Sequence, residues 1–192
     1  MADTIEIHPI VSAASVIAQY AHRNQKRKWG EQAPYITHPQ WCANKARELG
    51  CGPIVQAAMW LHDVIEDIAI PENDIEHYEK LIADNCGIEV LHLCWELTNV
   101  SDTPEWMAAH PNPRRYEKWQ VNLAHLKEVS DSTKLCKMID RLHNVRSMVD
   151  APRRMKEKYV PESRELLQVC RHTNTELADE LQLAINELEE SI

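Results

Sequence analysis

The sequence contains no phenylalanine and only four glycines among its 192 residues. Turn-rich β-sandwiches and barrels need many tight turns, so this composition disfavours them. Basic residues are also scarce: 21 against 30 acidic ones, a formal charge of −9. Because an acidic surface repels a phosphate backbone, we expect no DNA or RNA partner. A small phosphorylated molecule is still compatible, since a local basic pocket can lie within an acidic surface.

The six cysteines form no C-x-x-C pair. Most of them stand beside apolar residues, which is typical of buried thiols in a reducing compartment. No apolar run approaches the roughly 20 residues that a membrane span needs. The first residues also lack a basic start followed by an apolar stretch, as a signal peptide would have. We therefore expect a cytoplasmic protein with no membrane partner, and its oligomeric state stays open.

Helical periodicity is what the sequence does contain. Apolar residues make up 44% of the chain and recur at spacings of three and four. The predicted helices are 10–21, 37–50, 53–67, 71–85, 88–97, 114–128 and 132–149, with a final helix or pair within 161–191. No repeat or linker divides the chain, so the sequence predicts one all-α domain over residues 1–192.

Three local signals refine this prediction. Thr37 is the predicted N-cap of the second helix, because threonine accepts hydrogen bonds at helix starts. Gly87 is the predicted C-cap of the fourth helix. The segment Thr98 to Pro113 holds three prolines and is too long for a simple connection, which indicates a functional loop or lid.

The strongest chemical signal is His62-Asp63-x-x-Glu66-Asp67, directly after a buried apolar run. On an α-helix, residues four apart lie one above the other, so His62 is predicted to lie over Glu66 and Asp63 over Asp67. Burying four ionisable groups is costly unless a cation compensates them. The alternative is a solvated acidic helix end that merely follows a core segment.

Two distant segments favour the metal site over that alternative. His38 lies in the first turn of the second helix, and Asp140 interrupts an otherwise apolar helical face with Asn144 one turn later. Two imidazoles and two carboxylates form a mixed nitrogen and oxygen set. Such a set suits Mn²⁺, Fe²⁺, Zn²⁺ or Mg²⁺ and leaves positions for water and substrate.

The order His, His-Asp, Asp resembles the HD phosphohydrolase superfamily, and the local motifs are similar to the hydrolase domain of RelA/SpoT alarmone enzymes and their small stand-alone relatives. The matching segments are Arg27-Lys28, Pro34-Tyr35-Ile36-Thr37-His38-Pro39, His62-Asp63-Val64-Ile65-Glu66-Asp67 and Asp140-Arg141-Leu142-His143-Asn144. They span about two-thirds of the chain. The resemblance implies an HD-domain helical bundle built around a metal site.

The resemblance also implies roles for nine residues. The implied metal ligands, most simply for Mn²⁺, are His38, His62, Asp63 and Asp140. Glu66 and Asp67 would position or deprotonate the attacking water. Arg27 would lie against the guanine base, Lys28 would meet phosphate, and Asn144 would hold the ribose-phosphate region. The implied reaction removes the 3′-pyrophosphate of (p)ppGpp and gives GDP or GTP and pyrophosphate.

Three departures from the family pattern leave the nucleotide open. Trp29 stands where the family has a small or polar residue, the segment from Gly30 to Pro34 is longer, and Thr98 to Pro113 matches poorly. One alternative is therefore an HD phosphohydrolase acting on another nucleotide, such as a deoxynucleotide or a phosphorylated dinucleotide cofactor. Another is a module that binds alarmone without cleaving it, although the Glu66-Asp67 pair disfavours that alternative.

Overall fold

The fold consists of α-helices in the computed structural model, which describes residues 7–29 and 32–192. Within these residues the helices are α1 Pro9–Ala21, α2 Thr37–Glu48, α3 Pro53–Leu61, α4 Ile70–Glu72, α5 Ile75–Cys86, α6 Ile88–Leu97, α7 Pro104–Ala109, α8 Arg115–Glu128, α9 Asp131–Ser147, α10 Arg153–Cys170 and α11 Thr175–Glu190. The predicted all-α fold is confirmed. The first six residues, and two positions of the predicted loop after Trp29, lie outside the described residues.

Helix α3 lies at the centre of the N-terminal group of helices. Ala57, Ala58, Met59 and Leu61 are fully buried, so the helix is apolar on most faces. It packs against α1, α2 and α6. Burial on several sides fixes the direction of α3, and therefore the place where its C-terminal end delivers the residues that follow.

Helices α9, α10 and α11 pack against one another and form the C-terminal group. Met138, Ile139 and Leu142 of α9 are fully buried within it. Contacts of α9 with α2, α3 and α6 join the two groups. The start of α2, the end of α3 and the middle of α9 consequently meet at one place. No helix among the described residues is both long enough and apolar enough to cross a membrane.

The third predicted helix ends earlier than expected. Helix α3 stops at Leu61, and a π-helix covers Ile65–Ala69, closed by a bond from the Ile70 N–H to the Ile65 carbonyl oxygen. The prediction of one regular α-helix through Asp67 is wrong, because each π turn takes an additional residue. Such turns recur at functional sites. Here the π-helix carries Glu66 and Asp67.

Two other boundaries differ from the prediction by more than two residues. Helix α5 begins at Ile75 rather than at Pro71, because Asn73 adopts a left-handed backbone with φ of 55° and ends the short α4. Pro161 does not begin a helix but lies inside α10, which starts at Arg153. Its ring removes one backbone hydrogen bond from the helix, the one that the Glu157 carbonyl oxygen would accept, and both Pro161 and Glu157 are exposed residues.

The capping predictions had mixed outcomes. Thr37 is not an N-cap: it is the first residue of α2, and its hydroxyl donates to the Pro34 carbonyl oxygen at 2.9 Å. Gly87 does end α5, with φ of 97°, as predicted. The segment Thr98 to Pro113 contains the short helix α7 and a 3₁₀ turn, Val100–Asp102, which packs against α8.

Candidate metal centre and substrate cleft

Four side chains converge where α2, the end of α3 and α9 meet. Nε2 of His38 lies 3.2 Å from Nε2 of His62 and 3.1 Å from Oδ1 of Asp140. Oδ2 of Asp63 lies 3.1 Å from Nε2 of His62 and 3.5 Å from Nε2 of His38. Nε2 of His62 and Oδ1 of Asp140 are 3.8 Å apart. The structure therefore brings together all four residues of the predicted ligand set.

Hydrogen bonds behind the two imidazoles determine which nitrogen carries the proton. Nδ1 of His62 lies 2.9 Å from the Met59 carbonyl oxygen, so Nδ1 must donate and Nε2 presents a lone pair. Nδ1 of His38 lies 2.7 Å from Nδ1 of His143. Burial lowers the pKa of His143 to about 3, with further lowering by His38 and Arg27, so His143 is neutral and can accept this bond. Both Nε2 lone pairs then face the carboxylates.

These four atoms could hold a divalent cation. Ligand atoms about 2.1 Å from a common ion lie about 3.0 to 3.4 Å apart, depending on the geometry. Three of the distances, at 3.1, 3.1 and 3.2 Å, fall in this range, and the other two, at 3.5 and 3.8 Å, are longer. Two lone pairs and two carboxylates repel one another unless a cation or proton lies between them. Burial opposes protonation of His62, yet Asp63 and Asp140 raise its pKa well above the usual value. The donor set therefore fits a metal ion.

Cys42 lies near the same histidines, and a buried group of His38, Cys42 and His62 could also hold a metal ion. Its Sγ is 3.7 Å from Nδ1 of His38, the nitrogen that faces His143. The carboxylates lie on the opposite, Nε2 side of the ring. A cation on the Nε2 side is therefore better served by Asp63 and Asp140 than by the thiol.

Glu66 lies beside this centre, where the π-helix turns it toward the segment after α6. Its two carboxylate oxygens accept hydrogen bonds from the backbone N–H and the side-chain amide of Asn99, at 2.9 and 2.8 Å. Burial raises the pKa of Glu66 to about 7, although Lys137 and the Asn99 N–H act to lower it. A carboxylate with a pKa near neutrality can accept a proton from water and return it.

Asp67 points the other way, toward the segment before α2. It accepts a hydrogen bond from the side-chain amide of Gln25 at 2.9 Å. Burial and the neighbouring Asp63 raise its pKa. The hydroxyl of Tyr35 donates to Oδ2 of Asp63 at 2.7 Å and thereby holds that oxygen in place. Glu66 and Asp67 thus flank the centre from two sides.

The predicted substrate residues lie next to Asp140. Asn144 donates to Oδ1 of Asp140 at 2.5 Å and accepts from the Arg27 guanidinium at 2.8 Å. Lys28 follows, its Nζ lying 6.0 Å from the centre of the Trp29 ring. Arg27 and Asn144 therefore form one polar chain that reaches the metal centre, whereas Lys28 lies farther out.

Two cavities meet at this chain. The metal-side cavity, of about 370 Å³, contains Asp63, Glu66 and Asp140 in its wall. The Arg27-side cavity, of about 550 Å³, contains Arg27, Lys28 and Trp29. The residues common to both walls are Tyr35, Asp67, Arg115, Asn144 and Tyr159. The two spaces form one cleft, so a single elongated ligand can occupy both.

Several residues of the site were assigned no role from the sequence. Gln25, Tyr35 and Asn99 each bond directly to one of the predicted acidic residues. Tyr35 stands within the motif that contains His38, which is a usable signal. Gln25 and Asn99 are neutral amides outside the motifs, and nothing in the sequence distinguishes them from surface amides.

Comparison with known proteins agrees with this geometry. The HD domain family matches residues 14–170. A probable guanosine-3′,5′-bis(diphosphate) 3′-pyrophosphohydrolase of Synechocystis sp. is 36% identical over 151 residues, covering 76% of this chain and 18% of that longer protein. The guanosine-3′,5′-bis(diphosphate) 3′-pyrophosphohydrolase MESH1 of Homo sapiens is 31% identical over 147 residues, covering 74% of this chain and 71% of that protein.

A solved structure supports the fold. It is described as a metazoan ortholog of SpoT that hydrolyses ppGpp, and it superposes with a TM-score of 0.78 at 21% identity, over 96% of this chain and 98% of the other. At this identity the likeness shows the fold. The family match, by contrast, covers most of the sequence and includes every one of the four converging residues. The chain therefore belongs to the HD domain family.

Proposed function

We propose that this protein is a metal-dependent phosphohydrolase that removes the 3′-pyrophosphate of (p)ppGpp, or of a close purine alarmone. The products are GDP or GTP and pyrophosphate. The observation that carries the proposal is the convergence of the two histidine Nε2 atoms with one carboxylate oxygen each of Asp63 and Asp140. The names of the Synechocystis and human relatives support the choice of substrate.

The HD domain implies a divalent metal. In this proposal His38, His62, Asp63 and Asp140 hold it, and the ion is Mn²⁺, which accepts a mixed nitrogen and oxygen set. When bound, the ion lowers the pKa of water at the site and offsets the charge of the phosphates. Tyr35 and His143 keep two of the ligands oriented through their hydrogen bonds to Asp63 and His38.

Glu66 is the proposed general base. The oxygen of the attacking water bonds to the phosphorus attached to the ribose 3′-oxygen, while Glu66 takes up the proton of that water. The bond between this phosphorus and the 3′-oxygen breaks, and the 3′-oxygen leaves as a hydroxyl after the proton held by Glu66 is returned to it. Asp67, held by Gln25, orients the water from the opposite side. A pKa of about 7 for Glu66 suits this exchange.

The nucleoside part of the substrate is proposed to lie in the Arg27-side cavity. The planar guanidinium of Arg27 lies against the base, an arrangement that arginine favours with flat aromatic groups. Lys28 meets phosphate as a point charge. Asn144 holds the ribose-phosphate region, since it bonds to Arg27 on one side and to Asp140 on the other.

A second candidate substrate is another nucleotide, such as a deoxynucleotide or a phosphorylated dinucleotide cofactor. The observation that favours it is the wall of the Arg27-side cavity, where Trp29, Met148 and Met155 add apolar and aromatic surface. Such surface can accept a second ring. The same catalytic residues would act in that reaction, so this candidate changes the substrate and keeps the chemistry.

The deciding experiment incubates the purified protein and Mn²⁺ with ppGpp, pppGpp, deoxynucleoside triphosphates and phosphorylated dinucleotides, and identifies each product. We expect pyrophosphate and GDP from ppGpp. Release of phosphate or triphosphate from another nucleotide, with ppGpp untouched, would select the second candidate. Tight binding of ppGpp without any turnover would instead indicate a sensor and would refute the proposed hydrolysis.

We also propose that residues 1–192 act as one cytoplasmic domain. One cluster of buried apolar residues includes members of both helix groups. All six cysteines are free thiols, as suits a reducing compartment.

A further inference from the structure

Arg141 lies over two aromatic rings in the wall of the metal-side cavity. The centre of its guanidinium is 5.2 Å from the ring of Trp119 and 4.4 Å from the ring of Tyr159. Trp119 is itself fixed, because its indole N–H donates to Glu165 at 2.6 Å. The two rings come from α8 and α10, so three helices cooperate to hold this one cation.

The other cations around the cavity are engaged with acidic or polar groups. Arg115 donates two hydrogen bonds to Glu162, at 2.8 and 2.6 Å. Lys118 pairs with Asp102 at 2.8 Å. Lys137 approaches the Asn99 side-chain oxygen at 3.5 Å and is close enough to Glu66 to lower its pKa.

Arg141 differs from these cations. Within residues 7–29 and 32–192 it forms no ion pair with a carboxylate, and its hydrogen bond to Ser163 is long, at 3.5 Å. A guanidinium has five N–H donors in one plane. The guanidinium lies over the faces of the Trp119 and Tyr159 rings, which accept no conventional in-plane hydrogen bond from it. Its N–H donors are then available to a phosphate, which arginine binds through two parallel hydrogen bonds.

The layout of the cleft indicates which phosphate of the substrate Arg141 can reach. Arg27 and Lys28 line the Arg27-side cavity and Asn144 lines both cavities, whereas Arg141 lines the metal-side cavity together with Glu66 and Asp140. If the nucleoside occupies the Arg27-side cavity, the pyrophosphate that is cleaved from it extends into the metal-side cavity. We propose that Arg141, held against the rings of Trp119 and Tyr159, binds the pyrophosphate group as it leaves. This inference rests on the proposed function.

The test is calorimetric titration of the Mn²⁺-loaded protein with inorganic pyrophosphate, alongside product inhibition of nucleotide hydrolysis. For Arg141→Gln we expect binding of pyrophosphate to weaken by about 10- to 100-fold, the value of losing a charge-assisted hydrogen bond. Arg141→Lys keeps the positive charge but lacks the parallel N–H donors of a guanidinium, so it should lose less pyrophosphate affinity than Arg141→Gln. The matched control is Arg146→Gln on the same helix, since Arg146 pairs with Glu180.

The measured pyrophosphate affinities can contradict the proposed role of Arg141 in several ways. Unchanged pyrophosphate affinity in Arg141→Gln, an equal loss in Arg146→Gln, or no binding by the wild-type protein would overturn the inference. If the melting temperature of Arg141→Gln falls sharply, Arg141→Lys is used in its place. Wild-type pyrophosphate affinity in Arg141→Lys would then contradict the inference. Because the titration uses pyrophosphate alone, it decides the role of Arg141 even if ppGpp is not the substrate.

Discussion

Gln25 connects His22 to Asp67. Its amide nitrogen donates to Oδ2 of Asp67 at 2.9 Å, and its amide oxygen lies 2.5 Å from Nδ1 of His22. An ionised Asp67 can only accept, so the amide has one possible orientation and His22 must carry its proton on Nδ1. Nε2 of His22 is then a buried lone pair without a hydrogen-bond partner among the described residues. Half-buried Gln25 and buried His22 thus fix the direction of the Asp67 carboxylate, which we propose orients the attacking water.

The first prediction concerns this connection. Gln25→Leu keeps the size of the side chain and removes both hydrogen bonds, so Asp67 should lose its fixed orientation. We expect kcat to fall about 10-fold with little change in KM, because orientation of the water matters in the transition state more than in substrate binding. Steady-state kinetics on the best substrate of the nucleotide panel measures both constants.

The matched control for Gln25 is Gln182→Leu. Gln182 bonds to Asn186 on α11, far along the chain from the site, so its kinetics should equal those of the wild type. A Gln25→Leu enzyme with wild-type kcat would show that Asp67 is oriented by something else.

The second prediction concerns the metal. Asp63→Ala removes a carboxylate that lies within 3.5 Å of both histidine Nε2 atoms, so metal binding and activity should be abolished. Wild-type protein with Mn²⁺ at 100 times its Kd should gain about 2.7 kcal/mol of stability, and the variant should gain none. Thermal melts with Mn²⁺ and with chelator test this. Asp179→Asn on the surface should keep the full metal-dependent shift.

Much of the fold follows from periodicity. Helix α6 has the predicted bounds, because an apolar run between Gly87 and Thr98 leaves little choice. The π-helix at Ile65–Ala69 could not be predicted, since its residues are compatible with a regular α-helix. A tertiary contact involves this π-helix: Asn99, from another part of the chain, donates two hydrogen bonds to Glu66.

The candidate site was predictable to the extent that its chemistry lies in charged motifs. All nine residues that the family resemblance implied line the cleft or the metal centre. Histidines and acids that follow a buried apolar run are conspicuous in a sequence, whereas Arg27, Lys28 and Asn144 were assigned through the resemblance alone. The groups that orient the metal-binding and acidic residues are not conspicuous in the sequence. Gln25 is 42 positions from Asp67, and the contacts of Arg141 with two aromatic rings require the relative placement of α8, α9 and α10. Contacts of this kind exist only after the helices pack.

The third prediction concerns His143, whose Nδ1 faces Nδ1 of His38 at 2.7 Å. His143→Leu removes the acceptor that keeps the proton of His38 on Nδ1 and its Nε2 lone pair toward the metal. Groups that orient metal ligands typically contribute about 10- to 100-fold in affinity, so the Kd for Mn²⁺ should rise by that factor. Competition with a fluorescent chelator measures it. His77→Leu, at an exposed histidine, should leave the Kd unchanged.

The fourth prediction separates catalysis from metal binding at Glu66. Glu66→Gln keeps the size of the side chain and one oxygen that can accept from the Asn99 backbone N–H, but its amide cannot take a proton from water. We expect kcat to fall by about 10²- to 10⁴-fold, the usual contribution of a general base, while metal content by elemental analysis stays at the wild-type level. Full turnover by this variant, or loss of its metal, would assign Glu66 a different role.

The fifth prediction follows from the pKa of Glu66, which burial raises from 4.5 to about 7. The folded protein therefore holds this proton more tightly than the unfolded chain, and protonation of Glu66 stabilises the fold. That contribution is complete below about pH 4.5 and is lost as the pH rises through about 7. In chelator, the wild-type free energy of unfolding should therefore decline relative to that of Glu66→Gln between about pH 5 and about pH 8. Urea titrations measure this difference, and Glu187→Gln, at an exposed position, should follow the wild type throughout. Parallel curves for the wild type and Glu66→Gln would mean that the carboxyl of Glu66 titrates normally and is not poised to act as a base near neutral pH.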